Sequence, residues 1–130
     1  MAQSEEKSRI FVVDDELIIA STLATILRMN GFDALSFTHP QEALHAAREK
    51  APDLLIADVI MPGISGFDLA ILILKISPAC RVLLFSGQAA TANLLEAARE
   101  RGHHFEVLAK PIHPAEFLLK IKAVTESTPV

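Results

Sequence analysis

The sequence predicts an α/β domain: a doubly wound parallel sheet of five strands in the order 2-1-3-4-5, with five helices. Short continuous apolar runs alternate along the chain with longer segments of helical spacing, which is typical of βαβ units. The apolar runs lack polar alternation, as expected of parallel strands that are covered on both faces. Hydrophobic residues make up 51% of the chain, which suits a three-layer α/β/α sandwich.

Five strands are predicted from apolar runs rich in Val, Ile, Leu and Phe. They cover residues 10–13, 32–37, 54–57, 81–85 and 105–109. Five helices are predicted from apolar residues that recur at helical spacing between these strands. They cover residues 16–30, about 40–50, 67–76, 91–101 and 115–124.

Capping and breaking residues mark the ends of several helices. Gly31 and Gly102 stand where a helix C-terminus favours a residue that tolerates positive φ. Thr38 is the predicted N-cap of the second helix, with Pro40 in its first turn. Pro78 ends the third helix.

The 130 residues are expected to form a single domain over 1–130, with its core at about 9–124 and short polar tails. A net charge of −4 and the absence of Tyr and Trp argue against direct contact with nucleic acid. No run approaches the roughly 18 apolar residues of a membrane span. The polar N-terminus and the single cysteine, Cys80, favour a cytoplasmic protein.

Residues able to handle a phosphoryl group follow four of the five strands. Ligands of an open parallel sheet bind at the carboxyl ends of its strands, so these side chains are expected to converge. They are Asp14, Asp15, Asp58, Ser86 and Lys110.

Three of these residues are carboxylates, and hard cations such as Mg²⁺ prefer oxygen ligands. We expect Asp15 and Asp58 to bind Mg²⁺ directly and Asp14 to hold a coordinated water, with the Ile60 carbonyl as a further ligand. The alternative is that the residues after the first strand only cap a helix and complement its dipole. Asp58 is the candidate nucleophile, because an aspartyl carboxylate can form an acyl phosphate.

The chain resembles the receiver domain of bacterial two-component response regulators from about Arg9 to Val124. The resemblance rests on four motifs, VVDDE at 12–16, IADVIMPG at 56–63 with Gly66, FSG at 85–87 and LAKP at 108–111. It implies that Asp58 accepts phosphate from a sensor histidine kinase or phosphotransfer protein, with Mg²⁺ held by the aspartates. It also implies that Ser86 is the switch hydroxyl, that Lys110 contacts the phosphoryl group and that the bond preceding Pro111 is cis.

The sequence departs from the family pattern at two positions. Receivers usually carry a switch aromatic three residues before the lysine, where this chain has Val107. Phe105 lies on the same predicted face of the strand, so either it substitutes or the aromatic half of the switch is absent. Ser65 stands where an acidic residue is common, and we expect little consequence.

The third helix is apolar nearly all round, from Ala70 to Ile76. Either both of its sides are covered, or it exposes an apolar patch that would mark a partner surface. In receivers, the fourth helix, fifth strand and fifth helix form the usual output or homodimer surface.

Three functions remain open at this point. The leading hypothesis is a phosphoacceptor, stand-alone or part of a longer regulator, that signals to a downstream protein and has at most autophosphatase activity. The second is a Mg²⁺-dependent aspartyl-phosphate phosphatase, but such enzymes carry a second acid two residues after the nucleophile, where this chain has Ile60. The third is a pseudo-receiver that binds partners without phosphorylation.

Overall fold

Five strands and five helices alternate along the residues that the computed structural model describes, which are 7–87, 91–103 and 105–126. The strands are β1 Arg9–Val13, β2 Asp33–Phe37, β3 Leu54–Asp58, β4 Arg81–Ser86 and β5 Glu106–Ala109. The helices are α1 Leu17–Met29, α2 Pro40–Glu49, α3 Gly66–Ile76, α4 Thr91–Glu100 and α5 Pro114–Glu126. Each element lies within a few residues of its predicted bounds.

The strands form one parallel sheet in the order β2-β1-β3-β4-β5, which confirms the predicted fold and topology. The order reverses at β1, because β2 lies on one side of it and β3 on the other. In the register, Val13 pairs with Ala57, Asp58 with Phe85, and Ser86 with Ala109. The carboxyl ends of β1, β3, β4 and β5 therefore lie at one edge of the sheet.

Two apolar clusters cover the two faces of the sheet. One joins β-strand side chains to α2, α3 and α4, and includes Phe11, Phe67 and Ile73. The other joins the opposite face to α1 and α5, and includes Leu27 and Phe117. Every residue of β3 is buried, as the continuous apolar run predicted for a central parallel strand.

The cap of α2 differs from the prediction. Its N-cap is His39 rather than Thr38, and no side chain caps it. Pro40 occupies the first turn, and a residue before proline avoids the helical region, so the helix begins one residue later than Thr38 requires. Ser65, in contrast, caps α3 by accepting a hydrogen bond from the Asp68 N–H at 3.1 Å.

The apolar helix α3 is covered on one side and open on the other. Phe67, Leu69 and Ile73 are among its buried residues, whereas Leu72 and Ile76 each remain 37% exposed. Burial therefore explains most but not all of its apolar character. Within the described residues, no helix has the length and hydropathy needed to cross a bilayer.

Candidate phosphoryl-transfer site

The predicted site residues meet at the carboxyl edge of the sheet. Asp14 follows β1 and is fully buried, Asp58 ends β3 at 7% exposure, and Ser86 ends β4 at 6%. Lys110 follows β5, and its backbone N–H donates to the Ser86 carbonyl at 3.1 Å. Among the described residues, Asp14, Asp58 and Ser86 are the buried ones with polar or charged side chains. Burial of polar groups is therefore concentrated at this one edge.

Lys110 joins the carboxylates across the sheet. Its Nζ donates to Asp58 Oδ2 at 3.1 Å and to Asp14 Oδ2 at 3.2 Å, and lies 3.9 Å from Glu16 Oε1. The same Nζ lies 5.1 Å from the centre of the Phe85 ring. One ammonium therefore offsets carboxylates contributed by two separate strands.

Three carboxylates are close enough together to share one cation. One oxygen from each of Asp14, Asp15 and Asp58 lies within 4.8 Å of the others, and Asp15 is the exposed member. Asp14 Oδ1 accepts the Glu16 N–H at 2.8 Å, and Asp58 Oδ1 accepts the Ile60 N–H at 3.3 Å. Oxygen donors of this kind fit Mg²⁺, which keeps several waters and needs only one or two carboxylates from the protein.

Burial and pairing shift the pKa values of the two innermost charges. Burial raises the pKa of the Asp14 carboxyl, and the Glu16 N–H and Lys110 offset only part of this effect. Burial by itself would lower the pKa of Lys110, but its hydrogen bonds and charge interactions with Asp58 and Asp14 outweigh burial and raise it. The site therefore stabilises the charged form of the lysine, whereas burial disfavours the ionised form of Asp14.

The loop after Asp58 is held tightly against the sheet. The Val59 N–H donates to the Phe85 carbonyl at 3.0 Å, and the Gly66 N–H donates to the Val59 carbonyl at 2.9 Å. A Cβ on Gly66 would lie 2.9 Å from the Asp58 carbonyl carbon and would overlap the carbonyl oxygen. Glycine at this position lets α3 begin directly against the backbone of Asp58.

The Lys110–Pro111 peptide bond is cis in the structure. It follows directly on β5, where Lys110 leaves the sheet and turns toward the acidic cluster. The resemblance implied a cis bond at this position.

The structure separates the two candidates for the switch aromatic. Val107 is half-buried and pairs with Leu84 in the sheet. Phe105 precedes β5, lies 5.7 Å from the Phe67 ring and stacks on His103 at 5.7 Å. Because Ser86 pairs with Ala109, Phe105 lies about 13 Å along the strand from the level of the hydroxyl.

Two contributors to the site were not predicted from the sequence. Glu16 was assigned only to the start of a helix, yet its N–H binds Asp14 and its carboxylate lies near Lys110. Gly66 was recognised only as part of a motif, and no local signal indicates its contact with the Asp58 backbone. The Ile60 carbonyl remains a predicted ligand, since the contact that the structure gives is through the Ile60 N–H.

An apolar cavity of about 500 Å³ opens beside the acidic site. Ile18 and Leu23 of α1 form one wall, and Pro111 and Ile112 form the other, with Lys110 at the boundary. Ile18 is 78% exposed and the preceding Leu17 is 66% exposed. An exposed apolar surface therefore adjoins the buried carboxylates.

A doubly wound sheet with an acidic pocket at its carboxyl edge defines a class of phosphoryl-handling α/β proteins. The family model described as the response regulator receiver domain matches residues 10–122, and this chain belongs to that family. The match spans β1 to α5 and includes every predicted site residue.

Curated relatives are response regulators. The chain is 28% identical over 117 residues to the DNA-binding response regulator MtrA of Mycobacterium tuberculosis, covering 90% of this chain and 50% of that protein. It is 30% identical over 119 residues to the transcriptional regulatory protein CreB of Escherichia coli, covering 92% of this chain and 51% of that protein. The chain thus spans about half the length of these relatives.

Solved receiver structures share the fold. A CheY-like receiver domain protein from Methanospirillum hungatei matches with a TM-score of 0.79 and 26% identity, covering 92% of this chain and 94% of that chain. A receiver domain protein from Clostridium thermocellum matches with a TM-score of 0.77 and 30% identity, covering 89% and 92% of the two chains.

Proposed function

We propose that this receiver domain accepts a phosphoryl group on Asp58, with Mg²⁺ as cofactor, and signals through changed contacts with a downstream protein. The observation that carries the proposal is the position of Lys110 Nζ, within 3.2 Å of carboxylates at the ends of two different strands. The three clustered carboxylates outnumber this one ammonium, so a divalent cation would be needed before a phosphoryl group could approach, and Lys110 would then offset charge on its oxygens.

Asp58 is the acceptor because it is central and held in place. It ends a fully buried strand, and its two side-chain oxygens contact Lys110 and the Ile60 N–H. In the transfer, an Asp58 oxygen forms a bond to phosphorus while the phosphorus–nitrogen bond of the partner's phosphohistidine breaks. The partner's imidazole leaves with the electron pair of that bond.

Asp14, Asp15 and Asp58 would hold the Mg²⁺, with the Ile60 carbonyl as the further protein ligand. A cation held there would offset charge on the oxygens of the transferring group, which is a main requirement of phosphoryl transfer. Lys110 supplies a second positive charge beside Asp58. Ser86 ends the neighbouring strand and would donate its hydroxyl to the attached phosphoryl group.

The partner that delivers phosphate would be a sensor histidine kinase or a phosphotransfer protein in the cytoplasm. The apolar cavity between α1 and Pro111 is suited to a helix of that partner, because Lys110 and the exposed Ile18 are both among its lining residues. Ile18→Asp should slow transfer from the kinase while leaving labelling by a small phosphodonor unchanged. Leu119→Asp on α5, which is also strongly exposed, is the matched control.

The output would pass through protein contacts of α4, β5 and α5, including a homodimer formed by this surface. MtrA is named as DNA-binding, and that activity belongs to a protein about twice as long. The net charge of −4 favours a receiver that does not itself contact nucleic acid, whether as a single domain of 1–130 or within a longer regulator. Val107 and the position of Phe105 favour a switch in which Ser86 moves without an inward-turning ring.

Phosphorylation by acetyl phosphate with Mg²⁺, followed by intact-mass measurement, tests the proposal. Wild type should gain one phosphoryl group, and Asp58→Asn should gain none. Asp53→Asn changes the residue that flanks the other end of β3 and should be labelled like wild type. Equal labelling of Asp58→Asn would contradict the assignment.

The same assay separates the alternatives. Release of phosphate over many turnovers, without stable labelling, would indicate a Mg²⁺-dependent phosphatase. Absence of labelling in wild type, with intact folding by circular dichroism, would indicate a pseudo-receiver. Stable labelling that decays slowly supports a phosphoacceptor with limited autophosphatase activity.

A further inference from the structure

A second charged site lies at the amino end of the sheet, opposite the acidic pocket. It is a cavity of about 660 Å³ where β1, β2 and β3 begin and where α1 and α2 end. Its lining contains four cations and two carboxylates, in a chain whose net charge is −4. The lining residues are Lys7, Arg9, Arg28, Phe32, Asp33, Lys50, Ala51 and Asp53.

Arg9 contacts both carboxylates, Asp33 through its guanidinium and Asp53 through its backbone. Its Nη1 lies 3.6 Å from Asp33 Oδ2, and its backbone N–H donates to Asp53 Oδ2 at 2.8 Å. Its Nε donates to the Lys50 carbonyl at 3.2 Å, and its side chain is only 18% exposed. Both carboxylates of this cavity are therefore already bound by Arg9, and its guanidinium offsets the charge of Asp33.

The other three cations differ from Arg9 in their contacts. Within the described residues, no carboxylate lies within ion-pair distance of Lys7, Arg28 or Lys50. Arg28 donates its Nε to the Ala34 carbonyl at 2.8 Å. This bond orients its guanidinium and leaves the two Nη groups for another acceptor.

A simpler role for these cations is to offset the dipoles of the helix C-termini. Arg28 lies in the last turn of α1, and Lys50 is the C-cap of α2. That role explains why a cation stands at each helix end. It does not require cations from three separate stretches of chain to surround one concavity, with the half-buried Phe32 in its wall.

We propose that this cavity binds a compact polyanion, of the class of small molecules that carry two or more phosphate groups. Three cations that have no carboxylate partner within residues 7–87, 91–103 and 105–126 provide the charge for such a ligand, and guanidinium and ammonium groups both bind phosphate oxygens. The site is concave and within the range of small-molecule pockets, which favours a compact ligand over an acidic protein surface.

An NMR titration with inorganic pyrophosphate at low ionic strength, without Mg²⁺, tests the proposal. Omitting the metal keeps phosphate from being recruited to the aspartates at the other end of the sheet. The amide signals of Arg9, Arg28, Phe32 and Lys50 should shift together and saturate. Asp58→Asn should bind pyrophosphate like wild type, so failure of the phosphoacceptor assignment would leave this result unaffected.

Lys50→Gln should weaken binding about tenfold, as expected for loss of one charge-assisted contact. Lys122→Gln, which removes an exposed charge on α5, is the matched control and should have no effect. Arg28→Gln should also weaken binding, and its thermal unfolding is measured because the Nε bond to Ala34 is lost. Lys50→Gln breaks no side-chain bond in the described residues and keeps the test decisive if Arg28→Gln is unstable.

Three results would overturn the proposal. The first is equal weakening by Lys50→Gln and Lys122→Gln, which would indicate general charge screening. The second is shifts confined to the residues around Asp58 and Lys110. The third is an acidic peptide of matched charge that binds the same residues more tightly than pyrophosphate, which would assign the cavity to a protein partner.

Discussion

The two ends of the sheet carry similar kinds of residues but differ in how deeply their carboxylates are buried. At the carboxyl end, Asp14 and Asp58 are buried and share Lys110. At the amino end, Asp33 and Asp53 are more exposed and bind Arg9 at the start of β1. A charge in water is screened, whereas a buried charge acts strongly on its neighbours, so burial distinguishes a candidate reaction site from a charged surface.

The comparison also extends to backbone packing. At the carboxyl end, α3 begins in contact with the Asp58 carbonyl, with no room for a side chain on Gly66. At the amino end, Gly31 follows α1 with a φ of 91°, and a Cβ at this position would meet no atom within 4 Å. One glycine is required by crowding and the other by backbone conformation.

The largest expected effect is that of Gly66→Ala. The added methyl group overlaps the Asp58 carbonyl, so the free energy of unfolding should fall by about 3 kcal/mol. Gly31→Ala meets no atoms and should cost only about 1 kcal/mol, from its positive φ. Urea unfolding measures both, and equal losses would contradict the assigned difference in packing.

Addition of Mg²⁺ should have the next largest effect. At a free concentration about 100-fold above its dissociation constant, a bound cation stabilises the folded state by about 2.7 kcal/mol. Asp15→Asn should remove most of this gain, because Asp15 belongs to the cluster of three carboxylates. Asp53→Asn, at the amino end, should retain it. Thermal unfolding with and without Mg²⁺ measures this stabilisation. If Mg²⁺ stabilised Asp15→Asn as much as wild type, the result would argue against the site.

Lys110→Ala should keep the fold but lower the free energy of unfolding at pH 7 by about 1–2 kcal/mol, because two hydrogen bonds to carboxylates are lost. Lys50→Ala, which loses no ion pair to the part of the chain that the structure describes, should change it by less than about 0.5 kcal/mol. Because folding raises the pKa of Lys110, its contribution is present below the ordinary value of 10.5 and is lost as the pH rises through the folded value.

Urea unfolding of Lys110→Ala across this pH range provides the check. The variant should also be labelled on Asp58 yet show smaller changes than wild type in the amide spectrum of β5. Gross unfolding at pH 7, or a difference from wild type that persists above the folded pKa of Lys110, would count against the assigned contacts.

The smallest effect, and the one with opposite sign, is expected for Asp14→Asn without Mg²⁺. Burial raises the pKa of Asp14, so its ionisation costs stability as the pH rises above the ordinary value of 3.8. The neutral variant should therefore be more stable than wild type at pH 7, and the gain should vanish below that value, where both states are protonated. Asp33→Asn should show no such gain. A less stable Asp14→Asn at pH 7 would refute the argument.

Much of the fold was predictable because its signals are local. The continuous apolar runs ending at Val13 and Ala57 predicted buried parallel strands, and their order followed from general rules for doubly wound sheets. The cap of α2 was mistaken because Pro40 shifts the helix start relative to Thr38. Such errors are small, since neighbouring residues determine where an element begins.

The site was predictable in composition but not in geometry. Strand ends placed Asp14, Asp58, Ser86 and Lys110 at one edge without indicating which side chains would touch. The contact of Glu16 with Lys110 depends on where α1 begins relative to β5, which no local pattern encodes. The position of Phe105 likewise depends on the register of β5 against β4 and on its contact with Phe67.

By itself, the sequence determined the alternation of strands and helices, the edge at which polar residues gather and the resemblance to receivers. Only the tertiary structure decided that Asp14 is fully buried, that Lys110 bridges two carboxylates and that Gly66 lies against the Asp58 backbone. The physical reason is the distance along the chain over which each kind of interaction acts. Periodicity and capping act over a few residues, whereas burial and ion pairing depend on how residues 52 and 96 positions apart pack together.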